Sequence, residues 1–198
     1  MLVYLTLTIN RHRIENDLAD ARFAKMADEI FLIDTSVISN ASKRRPHPAI
    51  SAWLAQQARL AIPFPVILEM EAGTAELHRR DPQKAAALRN FVDDIFETEP
   101  DYPPMTPAVA RLLGEMMCCR PLSNLWISSS IGRKPGQDLA IAAVSIINGM
   151  PLATLNNRDF ELIDDYFELP GVYNPAFDLW VVPRTADRMA AQFAMTAH

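Results

Sequence analysis

The run EIFLID at residues 29–34 constrains this chain more than any other feature. It is apolar, too short for a helix, and ends in an acid followed by the polar Thr35 and Ser36, so it reads as a buried strand that carries a carboxylate to the end of a sheet. Helical text follows. Pro48 opens a helix to about residue 59, with Ile50, Trp53 and Leu54 on one face. Residues 60–64 read as a second short strand whose pairing is limited by Pro63 and Pro65, and helix resumes near Pro65. Asp81 and Pro82 supply a cap and a first-turn proline for a helix to about residue 96, where Leu88, Phe91, Val92 and Ile95 recur at helical spacing. Pro100, Pro103 and Pro104 break the chain. Thr106 and Pro107 repeat the cap-plus-proline signature, and that helix runs through Leu112, Leu113 and Met116 to end before Pro121. A long loop carries residues 126–134. An apolar helix then spans 137–148 with Gly149 as its stop, followed by the strand PLATL at 151–155 and the polar turn NNR. Strand and helix alternate, which predicts an α/β fold on a parallel sheet.

A chain of 198 residues, 49% of them hydrophobic, suffices for one core. Residues 1–28 read as an extension outside it: the apolar MLVYLTLTIN, then a polar run with Arg13, Glu15, Asp17 and Asp20, with Met26 just before the first strand. The expected organisation is an extension over 1–28, a domain over 29–178 and a C-terminal tail over 179–198, in which Leu179, Trp180, Val181 and Val182 precede a helical run through Met189 and Phe193. The opening apolar stretch has no basic flank and falls short of the about 20 residues that span a bilayer, so no membrane association is expected. Cys118 and Cys119 are adjacent in a helix, where side chains diverge by about 100 degrees, and they offer no disulfide framework. The expected compartment is a reducing cytoplasm. The net charge of -5 assigns any nucleic-acid contact to local basic patches.

Three acids stand at strand-to-helix junctions. Asp34 ends the first strand, Glu69 lies early in the helix after the second, and Asp138 lies in the first turn of the apolar helix, so all three can face the carboxyl edge of the sheet. Each has a second reading: Asp34 as a helix cap, Glu69 and Asp138 as acids opposing a helix dipole. Hard divalent cations take oxygen ligands, and a metal at such a cluster activates water for in-line attack on a phosphodiester without a Ser, Cys or His nucleophile. The histidines, His12, His47, His78 and His198, show no zinc-site spacing. Asn156 and Asp159 follow the strand PLATL where a fourth ligand would sit, and Asp159 also reads as the cap of a short helix with Phe160, Leu162 and Ile163.

In order along the chain, LIDTSVIS at 32–39, ILEMEAG at 67–73, DLAIAA at 138–143 and LATLNNRDF at 152–160 resemble the four blocks of the PIN domain, over roughly 30–177. The run Lys43, Arg44, Arg45, Pro46 and the late GVYNP resemble the toxins of bacterial toxin-antitoxin pairs of the VapC and FitB kind. The resemblance implies a PIN-like fold with a central mostly parallel sheet flanked by helices. It also implies Mg²⁺- or Mn²⁺-dependent endonucleolytic cleavage of RNA, homodimerisation and neutralisation by a cognate antitoxin. By position, Asp34 matches the first acid, Glu69 the second, with Glu71 its less favoured neighbour, and Asp138 the third. Asn156 stands where the fourth acid is usual, so either Asn156 binds a metal through water or Asp159 takes part. One hydroxyl of Thr35 or Ser36 would orient a metal-bound water, and Thr154 lies near the same edge.

Thr35 and Ser36, with the basic Lys43, Arg44 and Arg45, are the candidate substrate contacts, and Arg133 with Lys134 would reach phosphates from the loop before Asp138. Surface charge is the plain alternative for each basic run. Trp53, Phe91 and Phe96 read as packing residues, while Trp126 in its loop is the aromatic to test for a base contact. An alternative function is a catalytically weak PIN-like RNA-binding or regulatory protein, motivated by Asn156 and the negative net charge. A phosphorylated-aspartate α/β domain using Asp34 as nucleophile would need a lysine after a later strand, and none is placed.

Overall fold

In this computed structural model residues 29–126 and 136–196 are described. The extension over 1–28, with its apolar stretch and Met26, lies outside the described residues, as do Arg133, Lys134 and most of the loop before Asp138. A five-stranded sheet runs in the order β2-β1-β3-β4-β5. β1 (Phe31–Ile33) is parallel to β2 (Leu60–Ala61) and to β3 (Leu152–Ala153), β3 is parallel to β4 (Val172–Asn174), and β4 is antiparallel to β5 (Leu179–Val182). Parallel neighbours require crossovers, and the intervening helices supply them.

Nine α-helices lie among the described residues. They are α1 (Thr35–Ala41), α2 (Pro48–Gln56), α3 (Phe64–His78), α4 (Pro82–Glu97), α5 (Pro107–Cys118), α6 (Ser123–Trp126), α7 (Asp138–Asn148), α8 (Asn157–Asp164) and α9 (Thr185–Thr196). Pro48, Pro82 and Pro107 each sit in a first helical turn, where the missing N–H has no intrahelical acceptor. Asp81 and Thr106 cap their helices through Lys84 N–H (2.9 Å) and Val109 N–H (3.3 Å). α7 is buried from Leu139 to Ser145, which is why its sequence is apolar all round. It ends at Gly149, whose φ of 63° is the left-handed conformation that glycine adopts without a Cβ penalty.

One face of the sheet is closed by aromatic rings. Phe31 lies 5.3 Å from Trp53 edge-on, 5.6 Å from Tyr173 and 5.8 Å from Trp180. Arg184 covers the outer ring of Trp180 at 5.2 Å. Leu179–Val182, assigned from sequence to a tail beyond 178, is the fifth strand of the sheet. Trp126 also differs from its sequence assignment. It closes α6 rather than standing in a loop, and it packs half-buried against the core. The proline at 121 is the second residue of a single 3-10 turn, Arg120–Leu122, that leads directly into α6. No helix among the described residues is long and apolar enough to cross a membrane.

Candidate metal centre

Parallel pairing sets Asp34, Thr154 and Asn174 at one level of the sheet edge. The Asp34 N–H donates to the Ala153 carbonyl (3.0 Å), and the Thr154 N–H donates to the Tyr173 carbonyl (3.0 Å). All three side chains are buried. Asp34 is the N-cap of α1, and its Oδ2 takes three donors: the Ser36 N–H (3.3 Å), the Ser36 hydroxyl and the Thr154 hydroxyl (2.7 Å). Oδ1 accepts no hydrogen bond among the described residues, so one oxygen is anchored and the other is open. Ser36 Oγ in turn accepts from Leu155 N–H (2.9 Å), and Thr154 Oγ1 accepts from Asn156 N–H (2.9 Å). These bonds strap the turn after β3 to the start of α1.

Glu69 comes from α3 and is solvent-exposed, but it is held in place by the Thr35 hydroxyl, which donates to its Oε2 at 2.7 Å. Glu71 points elsewhere and pairs with Arg89 of α4 at 3.6 Å. Asp138 opens α7 and Asp159 lies in the first turn of α8. The Asn156 amide stands between them, donating to Asp138 Oδ2 (3.2 Å) and Asp159 Oδ2 (2.8 Å).

Burial and the repulsion of Asp34, Asp159 and Glu69 push the Asp138 carboxyl up to about 7. Acids from three other chain segments thus act on Asp138. Among the described residues, no three acid, His or Cys side chains stand arranged as ligands around one point. The donor set nonetheless fits a hard divalent cation: every group is a carboxylate or hydroxyl oxygen, Asp34 Oδ1 is open, and a cation would relieve the repulsion felt at Asp138.

Of the candidate substrate contacts, Thr35 and Ser36 are engaged with the acids, Thr35 with Glu69 and Ser36 with Asp34. Lys43, Arg44 and Arg45 are exposed beyond the far end of α1. The seven residues of that helix separate them from Asp34 by an axial rise of about 10 Å. Asn174 was missed from sequence. Its amide donates to Asn157 Oδ1 (2.7 Å), tying the start of α8 to β4, and the only sequence signal was a polar residue inside GVYNP.

The PIN domain family matches residues 31–166, more than half of the chain. Among solved structures, the chain is similar to one in VapBC2 from Rickettsia felis bound to a DNA fragment from its promoter (21% identity, TM-score 0.50, 67% of this chain and 91% of that one). It is also similar to one in VapBC-1 from nontypeable Haemophilus influenzae (19%, 0.50, 69% and 93%) and to one in DNA-bound VapBC from Salmonella typhimurium (16%, 0.50, 67% and 91%). At these identities the likeness is one of fold. Among proteins of curated function, none is significantly similar in sequence.

Proposed function

The chain belongs to the PIN-domain family, whose members are typically nucleases, and from that premise we propose that it is a Mg²⁺- or Mn²⁺-dependent endoribonuclease of the toxin type, acting in the cytoplasm and neutralised by a cognate antitoxin. The observation that carries this reading is the gathering of Asp34, Glu69, Asp138 and Asp159 closely enough to raise the Asp138 carboxyl to about 7. Perturbed carboxyls of this kind are concentrated at functional sites.

Asp34, Glu69 and Asp138 would hold the metal, with Asp159 as the fourth acid. A bound divalent ion would supply an activated water and neutralise charge that develops on the phosphate. The chain's own groups do the positioning. Ser36 and Thr154 fix Asp34 by its Oδ2, and Thr35, the next residue along, fixes Glu69 of α3. Lys43, Arg44 and Arg45, exposed past the far end of α1, would meet RNA phosphates further along the strand rather than at the bond being cut. Phe64 and Leu68, one helical turn apart and exposed on α3 beside Glu69, support a protein partner such as an antitoxin or a second copy of the chain.

The test is cleavage of mixed RNA by antitoxin-free protein in EDTA, Mg²⁺ or Mn²⁺, beside Glu69→Gln. Glu69 is the cleanest position because it is exposed and glutamine still accepts from Thr35. Metal-dependent cutting that is lost in the variant is expected. Equal cutting in EDTA, or by the variant, would sink the assignment. A second reading, a catalytically weak RNA-binding or regulatory protein, is favoured by the amide of Asn156 among the acids. It predicts metal-independent RNA binding without cleavage in any metal.

A further inference from the structure

Asn156 occupies the N-cap of α8, where an asparagine side chain ordinarily accepts from the N–H groups of the first turn. It does not do so here: no side-chain cap bond is made at this helix. The amide turns to the acids instead, giving one N–H to Asp138 Oδ2 and one to Asp159 Oδ2. The orientation follows from chemistry, because two carboxylate oxygens need donors and the amide oxygen has none to give. The residue is fixed at its backbone, where its N–H is bound to Thr154 Oγ1. Those two carboxylate oxygens are also ones a cation between Asp138 and Asp159 would take.

We propose that Asn156 is a positioning residue that clamps Asp138 to Asp159 and competes with the metal for their oxygens, so that it weakens metal binding rather than serving as a ligand. This rests on the metal-dependent reading above. An acid at the same position would add a ligand and more repulsion. The amide instead bridges two like charges and keeps them together without a cation. The cost is that a metal entering the site must displace at least one of its two hydrogen bonds.

Asn156→Ser and Asn156→Ala are the variants, the serine retaining an N-cap side chain too short to bridge both acids. Mn²⁺ binding is measured by titration calorimetry on the full chain, and thermal midpoints are measured in EDTA. Both variants are expected to melt lower in EDTA while binding Mn²⁺ more tightly than the parent, by up to about tenfold, because a competing charge-assisted hydrogen bond is gone. Unchanged Mn²⁺ binding would overturn the competition, and binding weakened severalfold would overturn it and make Asn156 a ligand. A double-mutant cycle between Asn156→Ala and Asp159→Ala in EDTA tests the bridge by itself, and additive midpoint changes would overturn it. If the parent binds no Mn²⁺ and Asp34→Asn changes nothing, the metal reading fails together with the competition, and the cycle still decides the bridge.

Discussion

Asp138→Asn should stabilise the metal-free protein at alkaline pH. The carboxyl of Asp138 lies at about 7 in the folded chain against 3.8 for an unperturbed aspartate. The folded state therefore holds its proton where the unfolded state has released it, and stability falls as pH rises from near 3.8 through about 7, then levels off. Three units at about 1.4 kcal/mol each set a ceiling of about 4 kcal/mol on the penalty. Screening of the repulsion by salt and water brings this to about 2–3 kcal/mol, since the side chain keeps some contact with solvent. Asparagine keeps an acceptor for the Asn156 amide but gives up the attraction of an acid for the start of α7, about 0.3–1 kcal/mol. The net gain at pH 8 is then about 1–2.5 kcal/mol, a rise of roughly 3–8 °C in midpoint for a chain of this size. Thermal melts in EDTA from pH 4.5 to 8.5 measure it. The parent should lose stability across this range more steeply than the variant, and the curves should converge toward pH 4.5. A variant less stable than the parent at pH 8, with the same slope, would refute the picture of a carboxyl strained by its neighbours.

Three further outcomes follow from the same geometry. Thr154→Val removes a buried donor to Asp34 and the acceptor for Asn156 N–H; it should cost about 1–3 kcal/mol in urea unfolding, with Thr154→Ser recovering most of it. Thr35→Val releases the exposed Glu69 and should leave stability within about 0.5 kcal/mol while slowing metal-dependent RNA cleavage roughly tenfold or more, read as kcat against KM. Gly171→Ala should cost about 2–4 kcal/mol and shift tryptophan emission, because a Cβ there would lie 2.8 Å from the Trp180 ring on a backbone with φ of 153°.

The elements that were legible in the sequence are those whose signal is local. EIFLID and the run before Gly149 declare a buried strand and a buried helix by composition alone, and α2, α4 and α5 announce their starts by proline. β4 was not legible because three residues carry no period. Val172–Asn174 is a strand through its pairing with β3 on one side and β5 on the other. The boundary at 178 fell inside that hairpin for the same reason, at Asp178, whose φ of 49° makes the turn. Trp126 was misplaced because Pro121 reads as a helix breaker, whereas proline equally begins a helical turn. Among the site residues, the acids stood out because strand-to-helix junctions collect ligands. Thr35, Ser36 and Thr154 were placed near the same edge, but their pairings were not legible, since Ser36 meets Leu155 and Thr154 meets Asp34 across more than a hundred residues, in a register that only the folded sheet defines.

In that register Asp34 as a helix cap is compatible with the metal-binding role proposed for it. A carboxylate has two oxygens, and here they are used differently. Oδ2 caps α1 and anchors two hydroxyls, while Oδ1 is left without a donor among the described residues. The capping bonds hold the side chain in one rotamer, which is what a ligand needs if it is not to lose entropy on binding. Asp34→Asn keeps one oxygen for the cap and removes the charge, whereas Asp34→Ala removes both and leaves the Thr154 hydroxyl without its acceptor. Loss of metal binding in the asparagine variant with an unchanged fold would therefore separate the two uses of one side chain, whereas unchanged metal binding in that variant, with the fold lost only in Asp34→Ala, would mean that capping alone accounts for the residue.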